Sequence, residues 1–281
     1  MNKIAIVTDS SCDLNKEQVE ENNIRVLPLR VIYKDNEYKD RVDITPQQVY
    51  DRLSSEIPTT SLPSLEDIEK LYKDIIAEGY THIIAITISS GLSGTFNAIK
   101  VISENHPEIT SYIYDSKVLS LGLGIIVLEC AKLIQSGSSY EQIIDALPKL
   151  KESVSVNFVL ETLEYLKKGG RIGLVSATIG ELLKMKPIIS VNAEGKYFTI
   201  AKVRGRKQSI SKLIDIAMET LRKTRASIYI LQGDAMEEAK PILDIFRNMP
   251  NLVSLSLSDI SPSLVVHTGP GLIGIIVQKE I

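Results

Sequence analysis

Tryptophan is absent from this 281-residue chain, phenylalanine occurs 4 times, and aromatic residues together make up only 5%. Stacking platforms for exposed bases need aromatic rings interleaved with basic residues, and such rings are scarce here. Cysteine is nearly absent as well. Cys12 and Cys130 stand far apart, without the paired spacing of a structural zinc site or a disulfide framework. Both are expected to be buried free thiols. His82, His106 and His267 are the only histidines and are too scattered to suggest a metal cluster. The chain lacks a Gly-x-x-x-x-Gly-Lys-Ser/Thr loop and a protein-kinase signature, so nothing in it indicates ATP binding. The longest uncharged apolar run, residues 118–128, ends at Glu129 and falls short of the roughly 18 residues of a membrane span. A formal net charge of −3 gives no electrostatic reason to meet nucleic acid. With no secretory signal and few cysteines, the expectation is a soluble, cytoplasmic protein without an integral membrane segment.

What is present is an alternation of strands and helices. Ile4-Ala5-Ile6-Val7 is a short apolar strand, followed by Thr8-Asp9-Ser10-Ser11 and a helix over about 15–21. Residues 24–33 read as a strand in which Pro28 marks a bulge or an edge. Thr45, Pro46 and Gln48 form a capping box with proline at the first helical position. Ser64 opens a helix that Gly79 stops. Strands over 82–88 and 112–114 and helices over 119–135 and 140–150 complete the first half, and the 119–134 helix is apolar on most faces, which predicts burial. This pattern predicts an α/β protein in two domains. Residues 1–155 would hold a largely parallel, Rossmann-like sheet with helices on both faces.

Residues 156–281 predict a second, mixed α/β domain. Its expected elements are a strand over 154–160, helices over 161–168 and near 179–184, and a hairpin of 187–191 with 196–203 turned at Gly195. A helix over 209–222, a strand over 227–231, a helix over 235–247 and a strand over 252–257 follow. The last elements are the apolar segment 264–266, the loop His267-Thr268-Gly269-Pro270-Gly271, and a strand over 272–277.

Where the 82–88 strand ends, the chain reads Ser89-Ser90-Gly91-Leu92-Ser93-Gly94-Thr95 and then turns helical. Unpaired N–H groups at a helix start, the favourable end of its dipole and glycines that admit a ligand to the backbone make an anion seat. Ser93 and Thr95 would add neutral hydroxyl donors, and Thr59-Thr60-Ser61, also just before a helix start, would supply a second cluster. Two such clusters meeting at the carboxyl edge of a parallel sheet would form a ligand site. Asp9 and Asp115, both at strand ends, read as turn caps rather than metal ligands. His82 and His106 read as structural.

Seven segments in order resemble the DegV family of bacterial fatty-acid-binding proteins. They are Thr8-Asp9-Ser10-Ser11, Thr60-Ser61-Leu62-Pro63-Ser64, the Ser89–Thr95 seat, Leu166-Lys167-Lys168-Gly169-Gly170-Arg171-Ile172-Gly173, Leu183-Lys184-Met185-Lys186-Pro187, Lys202-Val203-Arg204-Gly205-Arg206-Lys207, and His267-Thr268-Gly269-Pro270-Gly271. The resemblance implies two α/β domains enclosing a long-chain fatty acid such as palmitate or oleate. It implies a carboxylate held at Thr60, Ser61, Ser93 and Gly94, with His267 in the same hydrogen-bond network, and Arg171, Arg204 and Arg206 serving a phosphate or a partner. The implied partner is a fatty acid kinase that makes an acyl phosphate for phospholipid synthesis. No cofactor or metal is implied, and the protein would be a lipid carrier rather than an enzyme. One departure is visible: Leu62 stands where the family often has glutamine.

Two other readings stay open on the residues. Gly91-Leu92-Ser93-Gly94-Thr95 half-matches a nucleophile elbow, with Thr95 where the second glycine belongs, so an esterase or thioesterase using Ser93 and His267 is the alternative. Hydroxyl and glycine loops at helix starts also suit a phosphosugar or nucleotide sensor.

Overall fold

The computed structural model of the chain describes residues 2–178 and 185–281. The helix expected near 179–184, with Leu183 and Lys184 of the quoted motif, lies outside the described residues. The first half runs β1 (Ile4–Asp9), α1 (Lys16–Glu21), β2 (Ile24–Leu27), β3 (Arg30–Ile32), β4 (Glu37–Lys39), α2 (Pro46–Arg52) and β5 (Thr59–Ser61). Then come α3 (Leu65–Ala77), β6 (His82–Thr87), α4 (Thr95–Ser103), β7 (Thr110–Asp115), α5 (Leu121–Gln135) and α6 (Tyr140–Ser153). The helix starts follow their capping chemistry. Asn15 with Gln18, Thr45 with Gln48, and Ser139 with Gln142 form reciprocal capping boxes, and Ser64 caps α3 through the Asp67 amide.

Four of these strands form a parallel sheet in the order β2-β1-β6-β7. The chain leaves β1 for β2 on one side and later returns to β6 on the other. The carboxyl ends of β1 and β6 are therefore the switch point at which open α/β sheets bind ligands. Ile83, Ile84, Ala85 and Ile86 are fully buried, as the centre of a sheet covered on both faces requires. Ile68, Tyr72 and Ile75 of α3 share one helix face, and their burial against the sheet contributes roughly 1.5–3 kcal/mol per side chain.

The expected strand 24–33 is in fact two strands in different sheets. Pro28 cannot donate to the ladder, and the chain bends there. β2 stays in the parallel sheet, while β3 pairs antiparallel with β4 and β5 in a small sheet of order β4-β3-β5. Thr60 lies on this small sheet, in register with Val31, not on an edge of the parallel one.

The second half contains β8 (Val154–Val159), α7 (Glu164–Lys168), a 3-10 segment at Gly173–Thr178, β9 (Met185–Val191), β10 (Tyr197–Arg204) and α8 (Arg206–Leu221). It continues through β11 (Ala226–Gly233), α9 (Met236–Phe246), β12 (Leu252–Asp259), α10 (Pro262–Thr268) and β13 (Leu272–Lys279). Its strands make a mixed six-stranded sheet, β10-β9-β8-β13-β11-β12. α7 begins three residues later than its apolar spacing suggests, at Glu164. The larger revision is at 262–268. Ser261 with Pro262 opens a helix there, so His267 sits in a helical last turn instead of a loop.

The layers stack in five. α3 and α4 cover the outer face of the parallel sheet, and α8 and α9 cover the outer face of the mixed sheet. Between the sheets lies α5, which packs on β1 and β6 on one side and on β8 and β13 on the other. That double contact is why its sequence is apolar all round: Leu123, Ile126 and Val127 have no exposed surface.

Candidate ligand-binding site

The seat loop begins where β1 and β6 end side by side. Asp9, fully buried at the end of β1, accepts the Ser11 amide at 3.2 Å and, across the switch point, the Ile88 amide at 2.8 Å. Burial pushes its carboxyl up to about 6, against the opposing pull of those donors. Ser89 donates to the Gly195 carbonyl at 2.8 Å, fastening the loop to the β9–β10 hairpin turn. The Ser90 amide goes to Asp115 at 3.0 Å, and Lys117 reaches the Ser90 hydroxyl at 3.0 Å. Asp9 and Asp115 thus cap turns.

Of the hydroxyls in the seat, that of Ser93 lines a cavity. Thr95 is buried and stands 2.9 Å from the Ser93 hydroxyl, so it supports Ser93 and does not act as a second donor to a ligand. The cavity has a volume of about 150 Å³ and is bounded by Thr60, Ser61, Leu62, Ser93, Gly94, Arg171, Tyr197, Ser263 and His267, with Leu29, Ile88, Leu92 and Leu264 as its apolar wall. Both hydroxyl clusters and His267 therefore converge on one space. Leu62, the departure from the family pattern, belongs to that wall, its methyl 3.2 Å from where a side chain at Gly94 would begin.

Thr60 Oγ1 lies 2.7 Å from His267 Nε2. The other ring nitrogen, Nδ1, is buried and has no hydrogen-bond partner. Burial, with the nearby Arg171 guanidinium, drives His267 down to about 3, so the ring is neutral at physiological pH. A neutral imidazole carries one N–H, and an orphaned buried N–H is rarer and costlier than a bare lone pair. The proton therefore sits on Nε2 and is donated to Thr60. The threonine O–H is then free to point away from the imidazole, and Thr60 lines the cavity.

Arg171 follows the Gly169-Gly170 break at the end of α7. It donates from Nε to the Leu92 carbonyl at 3.2 Å and from Nη1 to the Gly169 carbonyl at 2.7 Å. It faces the cavity while tying α7 to the seat loop. Arg204 and Arg206 are not brought to this space. Arg204 is exposed near the end of β10, and Arg206 is held by Glu238 through paired bonds of 3.1 and 2.7 Å. His106 is buried between Glu69 and Glu108 and is not among the residues that line the cavity. Cys12 and Cys130 are buried free thiols.

Ser93 and His267 do not form a hydrolytic pair. The serine hydroxyl is engaged by Thr95, the imidazole by Thr60, and no carboxylate reaches Nδ1. Among the described residues no group of histidine, cysteine and carboxylate side chains has the arrangement of a metal site, and no helix is long and apolar enough to cross a membrane.

A second void of about 20 Å³ is almost wholly apolar, bounded by Leu119, Val156, Phe158, Leu231, Ile260 and Leu272 among others. It shares Tyr197 and Leu264 with the first cavity, so the two adjoin across those side chains. At that size it holds about one water-sized sphere. Tyr197 and Ser263 carried no sequence signal for a site. The Ser261-Pro262 helix start was the only hint that 262–268 would turn Ser263 and His267 to one face.

An α/β fold of two stacked sheets, with a hydroxyl-lined cavity at a sheet switch point and an apolar void adjoining it, defines a class of small-ligand-binding proteins with a neutral anion seat. The family model described as "Uncharacterised protein, DegV family" matches residues 3–280. A DegV domain-containing protein of Clostridium acetobutylicum is 48% identical, with all of both chains covered. The crystal structure of DegV, a fatty acid binding protein from Bacillus subtilis, superposes with a TM-score of 0.91 at 30% identity over 100% of both chains. A stearic acid-binding protein from Eubacterium ventriosum superposes with a TM-score of 0.88 at 29% identity, covering 99% of this chain and 98% of its own. This chain belongs to the DegV family.

Proposed function

We propose that this protein binds a long-chain fatty acid, holding the carboxylate at Thr60 and Ser93 and the tail in the apolar space between the sheets. The observation that carries this reading is the convergence of the Thr60 and Ser93 hydroxyls on one cavity whose inner wall, Tyr197 and Leu264, is also the wall of an apolar void. The solved relatives that bind fatty acids support it. Tyr197 and Leu264 part to admit the tail, and each buried methylene contributes about 0.8 kcal/mol. The tail sets affinity, and the hydroxyls with the first amides of α4 orient the head group. Ser61 and Gly94 border the same seat.

Held by neutral donors, the carboxylate keeps an oxygen available for transfer chemistry. In the fuller reading the protein presents it to a partner kinase that forms an acyl phosphate for phospholipid synthesis. Arg171 would stabilise the added phosphate charge, and the basic stretch of Arg204 and Arg206 would face the partner.

Lipid mass spectrometry of the denatured, purified protein tests the binding: one free fatty acid per chain is expected. Thr60→Ala and Ser93→Ala should each weaken palmitate binding by about tenfold. A wild-type protein that carries no fatty acid and ignores added palmitate refutes the reading. Arg171→Ala should spare binding and slow acyl phosphate formation, and loss of binding in that variant would refute its assigned role.

A further inference from the structure

α10 carries His267 to the cavity, yet it has only 7 residues and its N-cap residue Ser261 makes no side-chain capping bond. Its first amides are taken by carboxylates from the other half of the chain. Asp13 accepts the Ser261 amide at 2.8 Å, and Asp40 accepts the Ser263 amide at 3.2 Å and the Ser263 hydroxyl at 2.6 Å. Each carboxylate is itself held. Arg41 and Ser120 donate to Asp13 at 3.0 and 2.5 Å, and Ser10 donates to Asp40 at 2.6 Å.

Asp13 and Asp40 are 3% and 1% exposed. Burial pushes Asp40 up to about 6 and raises Asp13 too. An ordinary serine or threonine cap would satisfy the same amides without desolvating two acids. What the acids add is a stiff, charge-assisted grip applied from a different sheet.

Ser263 and His267 are four residues apart, hence on one face of the helix, and both line the cavity. Asp40 directly follows β4, and Thr60 lies on β5 of the same three-stranded sheet. The small sheet therefore holds α10 twice, through Asp40 at Ser263 and through Thr60 at His267.

We propose that Asp40, assisted by Asp13, is a positioning residue of the ligand site: its hold on Ser263 fixes the register of α10, so that His267 meets Thr60 and aims the threonine hydroxyl at the head group. This rests on reading the cavity as the seat of a fatty-acid carboxylate.

The test uses delipidated full-length protein with two probes, palmitate and hexadecanol, which share a tail but not a carboxylate. Asp40→Ala should weaken palmitate by about tenfold and leave hexadecanol unchanged. In a Thr60→Ala background the same substitution should add little, because the hydroxyl it aims is gone. Asp40→Asn, whose carbonyl still accepts the Ser263 amide, should fall between. The ¹⁵N signals of His267, assigned with His267→Gln, should move in Asp40→Ala without any ligand. Should Asp40→Ala fail to fold, Ser263→Ala removes the same hydroxyl contact from the helix side.

Equal weakening of both lipids, equal weakening with and without Thr60, or unmoved His267 nitrogens would each overturn the proposal while leaving the fatty-acid reading intact. A wild type that binds neither lipid overturns both.

Discussion

Gly169→Ala is the sharpest probe of the Thr60–His267 pair. At Gly169 the backbone has φ −75° and ψ −5°, which any L-residue adopts. At the end of α7 helix propensity alone would favour alanine by up to about 1 kcal/mol. A Cβ there, however, would lie 2.1 Å from His267 Nδ1 and 2.7 Å from Cε1. Ordinary contact begins near 3.4 Å, so ring and helix must separate by about 1.3 Å. The ring is wedged between Gly169 and the 2.7 Å bond to Thr60, and it cannot retreat without losing or bending that bond. Overpacking of this kind costs about 1–3 kcal/mol, reversing the sign expected from propensity and lowering Tm by several degrees. Palmitate binding should weaken by about tenfold as the Thr60 hydroxyl loses its orientation. Gly170→Ala is the control. Gly170 has φ +71° with nothing within 4 Å of a new Cβ, so alanine costs about 1 kcal/mol of backbone strain and should leave the affinity unchanged. Thermal unfolding and palmitate titration of the three proteins decide the matter. A Gly169→Ala protein that is as stable as wild type and binds palmitate equally would refute the packing argument.

His267→Gln should alter the pH dependence of stability. The folded ring titrates near 3 and the unfolded one near 6.5, so its contribution is complete above pH 6.5 and is lost as pH falls toward 3, at about 1.4 kcal/mol per pH unit. Asp9 and Asp40, raised from 3.8 to about 6, act with the opposite sign, their contribution being complete below pH 3.8 and lost as pH rises through 6. Denaturant unfolding from pH 7 to 4 should show the stability difference between wild type and His267→Gln shifting against wild type on acidification, and a constant difference would contradict the burial of a neutral ring. The thiols give a simpler check. Burial pushes Cys130 up to about 12 and also raises Cys12, so a disulfide reagent should find no fast-reacting thiol in the native protein and two per chain in denaturant.

Much of the scaffold could be read from the residues because local chemistry and burial agree there. The β-branched run 82–88 is buried on both faces, the capping residues at Thr45 and Ser64 open the helices they announce, and the all-apolar 119–134 stretch packs between two sheets. The small sheet is not legible in the sequence because three-residue strands have no measurable period, and Pro28 alone hints that 24–33 divides. α10 is hidden for a related reason. Leu264-Val265-Val266 favours a strand by composition, and packing against α2 and α7 overrides that preference. Thr60, Ser93 and His267 were legible as candidates, whereas Asp13 and Asp40 were not. An aspartate in a polar stretch announces nothing until a helix from more than 200 positions away arrives to be held.

β13 lies at the middle of the mixed sheet, antiparallel to β8 on one side and β11 on the other, although it comes after both in the chain. During synthesis β8 and β11 leave the ribosome with their inner edges open, and no lasting ladder joins them until residues 272–279 emerge. The parallel sheet has no such wait, since all its strands precede residue 116. A translating chain would therefore expose the β8 edge for most of the second half's production and the β11 edge as well from residue 233 onward, the period in which a holding chaperone has the most to protect.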